Sequence, residues 1–266
     1  MLTPEKIRAD VRALAIPDGA TVLMHTSLRA IGKIEGGAEA LLDVLIDEIC
    51  TRGGLFCVPT HTWDNLGGSG YTLDVVRHGS CLGTFPNIAL RDGRGLRTEN
   101  PTHSMVIFGN RERAINFARG ELRVKTPTSP DSCYGRLLTE NGYVLLVGVT
   151  QNRNTYLHSV EEMLGFPNRV DKSPTAISVK RASGEEYHGE IYLFDHSVHG
   201  DVSNKFHLYE PALRAFGAIK DYKIGDAAVQ LCDAGIIKDA LTALWDRSGG
   251  IDPLTLGDEI PSEMYE

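Results

Sequence analysis

The sequence predicts an α/β protein with a mainly parallel central sheet flanked by helices, an antiparallel β hairpin region and C-terminal helices. Two patterns carry this. Short apolar runs of strand length, Thr21–His25, Leu55–Thr60, Met105–Gly109 and Tyr143–Val149, alternate with segments whose apolar residues recur at helical spacing. Such alternation builds a largely parallel sheet with helices on both faces. Beyond Pro174 the pattern changes to β-rich runs, Ala176–Arg181 and Tyr187–Phe194, separated by Ser183-Gly184, which reads as a hairpin.

Taken in order, the chain opens with a helix capped by Thr3 and started by Pro4, whose missing N–H costs nothing at a first helical position. The first strand, Thr21–His25, leads to a helix over Ala38–Ile49 with Leu41, Leu42, Leu45 and Ile49 on one face. Helices are expected near Arg111–Ala118 and Tyr134–Glu140, between the later strands. Residues His61–Ser80 are too long and polar for a simple connection, and long loops in compact domains are usually functional or disordered. Phe206–Phe216 and Ala227–Trp245 both read as helices, and the tail after Gly249 as frayed. One domain over residues 1–266 is expected, β-rich at about 175–200 and helical at about 203–248.

Composition narrows the functions. A net charge of −8 without a Lys/Arg run argues against phosphate-backbone binding, so no nucleic-acid partner is expected. No apolar run reaches the length of a membrane span, and the start lacks a signal-peptide pattern, which points to a cytoplasmic protein without a membrane partner. The five cysteines are widely spaced and form no zinc pattern, which suits a reducing compartment.

The segment Asn154-Thr155-Tyr156-Leu157-His158-Ser159-Val160-Glu161-Glu162 follows the fourth strand, where open α/β sheets place their chemistry. In a helix beginning near Thr155, His158 lies one turn from Asn154 and Glu162 and three residues from Glu161, so all four can share a face. Neutral imidazole near a carboxylate or amide is a general base. The local pattern alone better describes a capped surface helix with His and Glu facing solvent, since such helix starts are frequent. His25-Thr26-Ser27-Leu28-Arg29 ends the first strand, where hydroxyls and backbone N–H groups can hold a polar cofactor arm or merely cap a turn. P-loop and dinucleotide-binding glycine patterns are absent. His61, followed by Trp63 and Asp64, also follows a strand; Trp63 and Tyr71 could present apolar faces to a sugar or aliphatic amine, while Asp64 and Asp74 could pair with its ammonium groups. His196, His199 and Asp201 offer metal-ligand types at close spacing, which leaves a metal-dependent hydrolase as an alternative.

In their order along the chain, these segments resemble the aminoglycoside N3-acetyltransferase family, which is distinct from the GNAT acetyltransferases. The carriers are His25-Thr26-Ser27-Leu28 with Gly32, Gly53 through Asp64, Arg97-Thr98-Glu99-Asn100-Pro101-Thr102-His103-Ser104-Met105, Ser129-Pro130, Leu145-Leu146-Val147-Gly148-Val149 and Asn154 through Glu161. The resemblance implies a single antibiotic N-acetyltransferase-like domain that transfers acetyl from acetyl-CoA to the 3-amino group of a 2-deoxystreptamine aminoglycoside, or to another small amine, without a metal. It implies His158 as general base, with Glu161 and Asn154 beside it. It also implies coenzyme A along His25, Thr26, Ser27, Leu28, Arg29, Ser104, Met105, Val106 and Ser129. Asp64, Tyr71 and Glu162 are expected to contact the substrate. One departure stands out: the position four before the histidine is often acidic in the family and is Asn154 here.

Overall fold

The structure is a computed structural model that describes residues 1–68 and 70–266. In chain order its elements are α1 (Pro4–Ala13), β1 (Thr21–Thr26), α2 (Leu28–Ile31), α3 (Gly37–Cys50), β2 (Leu55–Pro59), β3 (Leu73–Asp74), α4 (Thr84–Arg91), β4 (Leu96–Arg97), β5 (Met105–Phe108), α5 (Arg111–Phe117), α6 (Cys133–Arg136), β6 (Gly142–Val147), α7 (Tyr156–Leu164), β7 (Thr175–Lys180), β8 (Glu186–Ile191), α8 (Glu210–Ala215), β9 (Ile219–Ile224), β10 (Ala227–Asp233) and α9 (Ala234–Arg247). Helix α1 begins as its sequence dictates, with Thr3 accepting the N–H of Lys6 at 3.3 Å and proline in the first turn.

Among the described residues, seven strands form a sheet in the order β4-β5-β2-β1-β6-β10-β9, and β3-β7-β8 form a smaller one. The centre, β2-β1-β6, is parallel. Strands β5 and β10 run against it, while β4 and β9 turn back again. Five of the seven strands therefore share one direction, which is the mixed α/β architecture the alternation predicts. The small sheet contains the expected hairpin, β7 against β8.

Successive residues of a strand face opposite sides, and the central strands use this to build two core layers. Leu23, Leu55, Cys57, Val144 and Leu146 pack with α6, α7 and α9 on one face. Val22, Met24, Phe56, Val58, Leu145 and Val147 pack with α1, α3 and α4 on the other. Strand β1 has β2 on one side and β6 on the other, so the connections leave it in opposite directions. That makes the carboxyl end of β1 a topological switch point, where open α/β sheets leave a crevice. The exit from β6 runs so close to α2 that Gly148, at φ +64°, has room for no side chain: a Cβ there would lie 2.3 Å from that of Ala30.

Several elements differ from the sequence pattern. Ala227–Trp245 is not one helix but strand β10 followed by α9, divided at Asp233, whose side chain caps α9 by accepting the N–H of Ile236 at 3.0 Å. The stretch expected to be helical, 203–248, therefore contains the β9-β10 pair. Phe206–Phe216 begins in a 3-10 turn, Val202–Tyr209, before α8. Within the long segment 61–80, Leu73-Asp74 forms β3 against β7; residue 69 of that segment lies outside the described residues. The tail after Gly249 is tethered, since Asp252, Pro253 and Leu254 are buried and Arg169 Nη2 donates to Asp252 at 2.8 Å.

Candidate active site

The parallel strands end together, and a cavity of about 610 Å³ opens there. His25 comes from the end of β1, His61 from beyond β2, and Asn152-Arg153-Asn154-Thr155 with His158 from the β6–α7 connection and α7. Because β5 runs against β2, its entry brings Thr102 and His103 to the same end. The segment after β8 closes the far wall with Phe194, Asp195, His196, Ser197 and Asp201, and Trp63, Leu66 and Leu82 form an apolar side.

His158 sits in the first turn of α7 with its ring stacked on Phe194, centroids 4.2 Å apart, and Phe206 edge-on at 4.7 Å. Burial pushes its pKa down to about 3; the Asp201 carboxylate pulls the other way, while Arg169 and His196 add to the fall. The imidazole is therefore neutral at ordinary pH. His103 is held down to about 3 by burial and then by His158, and His25 equally by burial and then by Arg153. His61 lies well below its ordinary value for the same first reason. His61 Nε2 shares a 2.8 Å hydrogen bond with the buried Tyr134 hydroxyl, and its ring lies 4.1 Å from that of His103. The cavity floor thus holds four uncharged imidazoles.

These burials set a pH dependence of stability. His25, His103 and His158 bind protons in the unfolded chain below about 6.5 but resist them in the fold until about 3. Stability is full above the upper value and falls as pH drops through that window, by about 1.4 kcal/mol per pH unit for each histidine. Chemical denaturation is expected to show a midpoint that drops between pH 7 and pH 5, before ordinary carboxylates titrate, and that drops less steeply in His103→Gln. A midpoint unchanged between those pH values would show that the histidines are not buried neutral.

The carboxylates expected beside His158 lie elsewhere. A helix advances about 100° per residue, so residues three and four further on fall on opposite flanks of the first. Glu161 turns into the protein and accepts from Arg169 Nε at 2.6 Å, Arg169 Nη2 at 3.0 Å and the Tyr209 hydroxyl at 2.7 Å. Glu162 turns to the other side and accepts from the hydroxyls of Thr126 and Thr128. Asp201 lines the same cavity from a different segment, its Oδ1 accepting from the N–H and hydroxyl of Ser203, and its charge favours the protonated form of His158. Asn154 is on the cavity wall as expected, its Nδ2 donating to Gln151 Oε1 at 2.8 Å and its Oδ1 buried without a partner.

Other expected contacts also fall outside the lining. Ser104 is consumed by Thr60, donating to its carbonyl at 2.8 Å, and Met105 and Val106 are core residues of β5. Ser129 forms a turn with Ser132. Of the group ending β1, only His25 reaches the cavity; Ser27 donates its backbone N–H to Val147, Leu28 packs on the core, Arg29 is exposed, and the Thr26 hydroxyl is buried without a partner. Tyr71 bonds to Glu186 on the small sheet, and Asp64 is exposed beside Trp63. Of the residues in the metal alternative, His196 and Asp201 line the cavity while His199 turns toward Asp252, 4.0 Å away, and among the described residues no group of three His, Cys, Asp or Glu side chains is placed to hold a metal ion. Sequence spacing missed Phe194 and Phe206 as the ring's neighbours and Asp201 as its charge partner, since all three are distant in the chain.

The family model for aminoglycoside 3-N-acetyltransferase matches residues 23–245. The chain is 26% identical over 263 residues to aminoglycoside N(3)-acetyltransferase VII of Streptomyces paromomycinus, covering 90% of this chain and 89% of that one. Its fold matches the crystal structure of aminoglycoside acetyltransferase AAC(3)-Xa with a TM-score of 0.76 at 24% identity, covering 90% of each chain. It also matches AAC-IIIb in a binary complex with CoASH, with a TM-score of 0.77 at 22% identity, covering 92% of this chain and 97% of that one. The matched span runs from β1 through the cavity and α7 into α9, and on that ground the chain belongs to the aminoglycoside 3-N-acetyltransferase family of acyltransferases.

Proposed function

We propose that this chain transfers acetyl from acetyl-CoA to the 3-amino group of a 2-deoxystreptamine aminoglycoside, with His158 as general base. The observation that carries the reading is a neutral imidazole at a switch-point cavity that Asp201 also lines, in a chain of this family. A primary ammonium is not a nucleophile, so the group that attacks must first lose a proton, and neutral His158 can take it. The nitrogen then bonds to the acyl carbon, the C–S bond breaks, the second proton of the acylated nitrogen ends on the leaving thiolate, and the proton held by His158 passes to solvent. Asp201 favours the imidazolium that results. Asp171, Asp195 and Asp201 around the cavity suit a polycation, while Trp63, Leu66 and Leu82 suit the apolar parts of an acyl thioester arm. The CoASH complex of AAC-IIIb and the name of the Streptomyces relative support the two substrates.

The test is thiol release from acetyl-CoA with a panel of 2-deoxystreptamine aminoglycosides and simple amines, with the product located by NMR. Release with the aminoglycosides and a 3-N-acetyl product is expected. If only other amines react, the chain is an acetyltransferase for another small amine, and absence of release with every amine removes the reading.

A further inference from the structure

Two of the four cavity imidazoles are fixed in one tautomer by hydroxyl groups. His61 Nε2 meets the Tyr134 hydroxyl at 2.8 Å, and His103 Nδ1 meets the Thr102 hydroxyl at 2.9 Å. Tyr134 and Thr102 are fully buried, and among the described residues neither hydroxyl has another partner. A buried hydroxyl whose proton finds no acceptor loses more than one with an unused lone pair, so each donates to its imidazole. The bond at one ring nitrogen then sets the proton on the other. His61 therefore carries its N–H at Nδ1, and His103 at Nε2. Among the described residues neither N–H has a partner, and neither is sealed inside the protein, in contrast to the buried Nε2 of His25. Both residues line the cavity, and their ring centroids lie 4.1 Å apart.

The neighbours of this pair put it between the reacting ends of the two substrates. Trp63, two residues on from His61, belongs to the apolar side that suits a thioester arm. His103 packs edge-on against Phe194, centroids 5.4 Å apart, and His158 stacks on the same phenylalanine at 4.2 Å. The acyl carbon has to lie where that arm meets the amine beside the base. We propose that His61 Nδ1 and His103 Nε2 are catalytic donors that bind the carbonyl oxygen of the acetyl thioester, and that Tyr134 and Thr102 are positioning residues that keep those N–H groups available to it. The proposal rests on the acetyltransferase reading. As the amine nitrogen bonds to the acyl carbon, the carbonyl π pair moves onto oxygen, where the two N–H groups stabilise it; the pair returns to carbon as the C–S bond breaks. A neutral imidazole suits this task, because it meets the developing charge and keeps its own proton. Burial keeps both rings uncharged, so they also admit a cationic amine that two imidazolium groups would repel.

The experiment has two readouts: kcat with the KM values for acetyl-CoA and an accepted amine, and the infrared carbonyl stretch of isotope-labelled acetyl-CoA bound to the enzyme. His61→Leu and His103→Leu are each expected to lower kcat about 10²- to 10³-fold, the usual cost of one oxyanion donor, with both KM values little changed. His61→Asn and His103→Gln, whose amides offer an N–H in place of the ring's, should recover most of that loss. Tyr134→Phe, altered outside the cavity lining, lets the His61 proton shift to Nε2. It should lower kcat several-fold with neither KM moved, and it carries the test should a leucine variant fail to fold. In wild type the bound carbonyl should absorb at lower frequency than in free acetyl-CoA, and each leucine variant should return it toward the free value. A merely structural role for the rings would leave that frequency in place. An unshifted carbonyl in wild type, a frequency or kcat unchanged in the folded leucine variants, or no recovery with the amides overturns the donor pair; an unchanged kcat in Tyr134→Phe overturns the positioning role. If wild type shifts the carbonyl and yet acetylates no amine, the proposed reaction has failed while the carbonyl contact stands, which separates the two.

Discussion

His158→Ala is expected to lower kcat by roughly 10²- to 10⁴-fold, the span general-base catalysis usually supplies, with little change in affinity for coenzyme A. The ring touches Phe194 and Phe206 rather than any hydrogen-bonding side chain, so its removal disturbs a small aromatic pocket and leaves the strand ends intact. On the proposed mechanism the step lost is the proton transfer. Asp201→Asn serves as the graded companion. Its charge favours the protonated ring, so its neutralisation should cost turnover less than loss of the imidazole does, and should make the enzyme a weaker base at every pH. Steady-state kinetics with coenzyme A binding measured by calorimetry decides both. Turnover in His158→Ala equal to wild type would take the ring out of the mechanism.

Arg169→Ala is expected to destabilise the fold by about 3–5 kcal/mol, because it strands two buried carboxylates. Glu161 and Asp252 both depend on that guanidinium, and all three side chains are within a few per cent of full burial. Burial pushes the Glu161 carboxyl up, and the Arg169 charge and hydrogen bonds hold it down. Removing the arginine leaves burial and the repulsion from Asp252 opposed only by the Tyr209 hydrogen bond. For a chain of this size the loss corresponds to a melting point lower by on the order of 10 °C. The triple variant Arg169→Met/Glu161→Gln/Asp252→Asn should regain most of it, since the cost is the unpaired charge rather than the missing pair. Scanning calorimetry measures both. A melting point in Arg169→Ala equal to wild type would mean the cluster carries no net energy.

The parts of this molecule legible in its sequence are those set by local pattern. Strands β1, β2, β5 and β6 follow from apolar runs, α1 from Thr3 and Pro4, and the β7-β8 hairpin from two β-rich runs around Ser183-Gly184. The β10-α9 boundary was present as Asp233, a good cap, yet Ala227, Val229 and Leu231 at period two run without a gap into the helical pattern of α9. Within the site, the strand-end rule placed His25, His61 and His158, because it depends on topology alone. The carboxylates could not be placed that way. Whether Glu161 serves His158 or Arg169 depends on Arg169, Tyr209 and Asp252, which come from three separate segments. Ser104 likewise lies in a segment that looks polar and accessible, but Thr60 on the neighbouring strand occupies it.

The pairing of β1 also sets when the molecule is vulnerable. Residue 21 meets residue 55 on one edge and residue 142 on the other. During synthesis at about 5–20 residues per second, β1 and β2 can join early, but the second edge of β1 waits on the order of ten seconds for β6 to leave the ribosome. Throughout that interval Val22, Leu23 and Met24, apolar on both faces, border an open row of backbone donors and acceptors, the kind of edge that recruits other chains. Yield in a cell should therefore depend on synthesis rate and growth temperature more than the finished fold's stability would suggest, with aggregation the competing outcome.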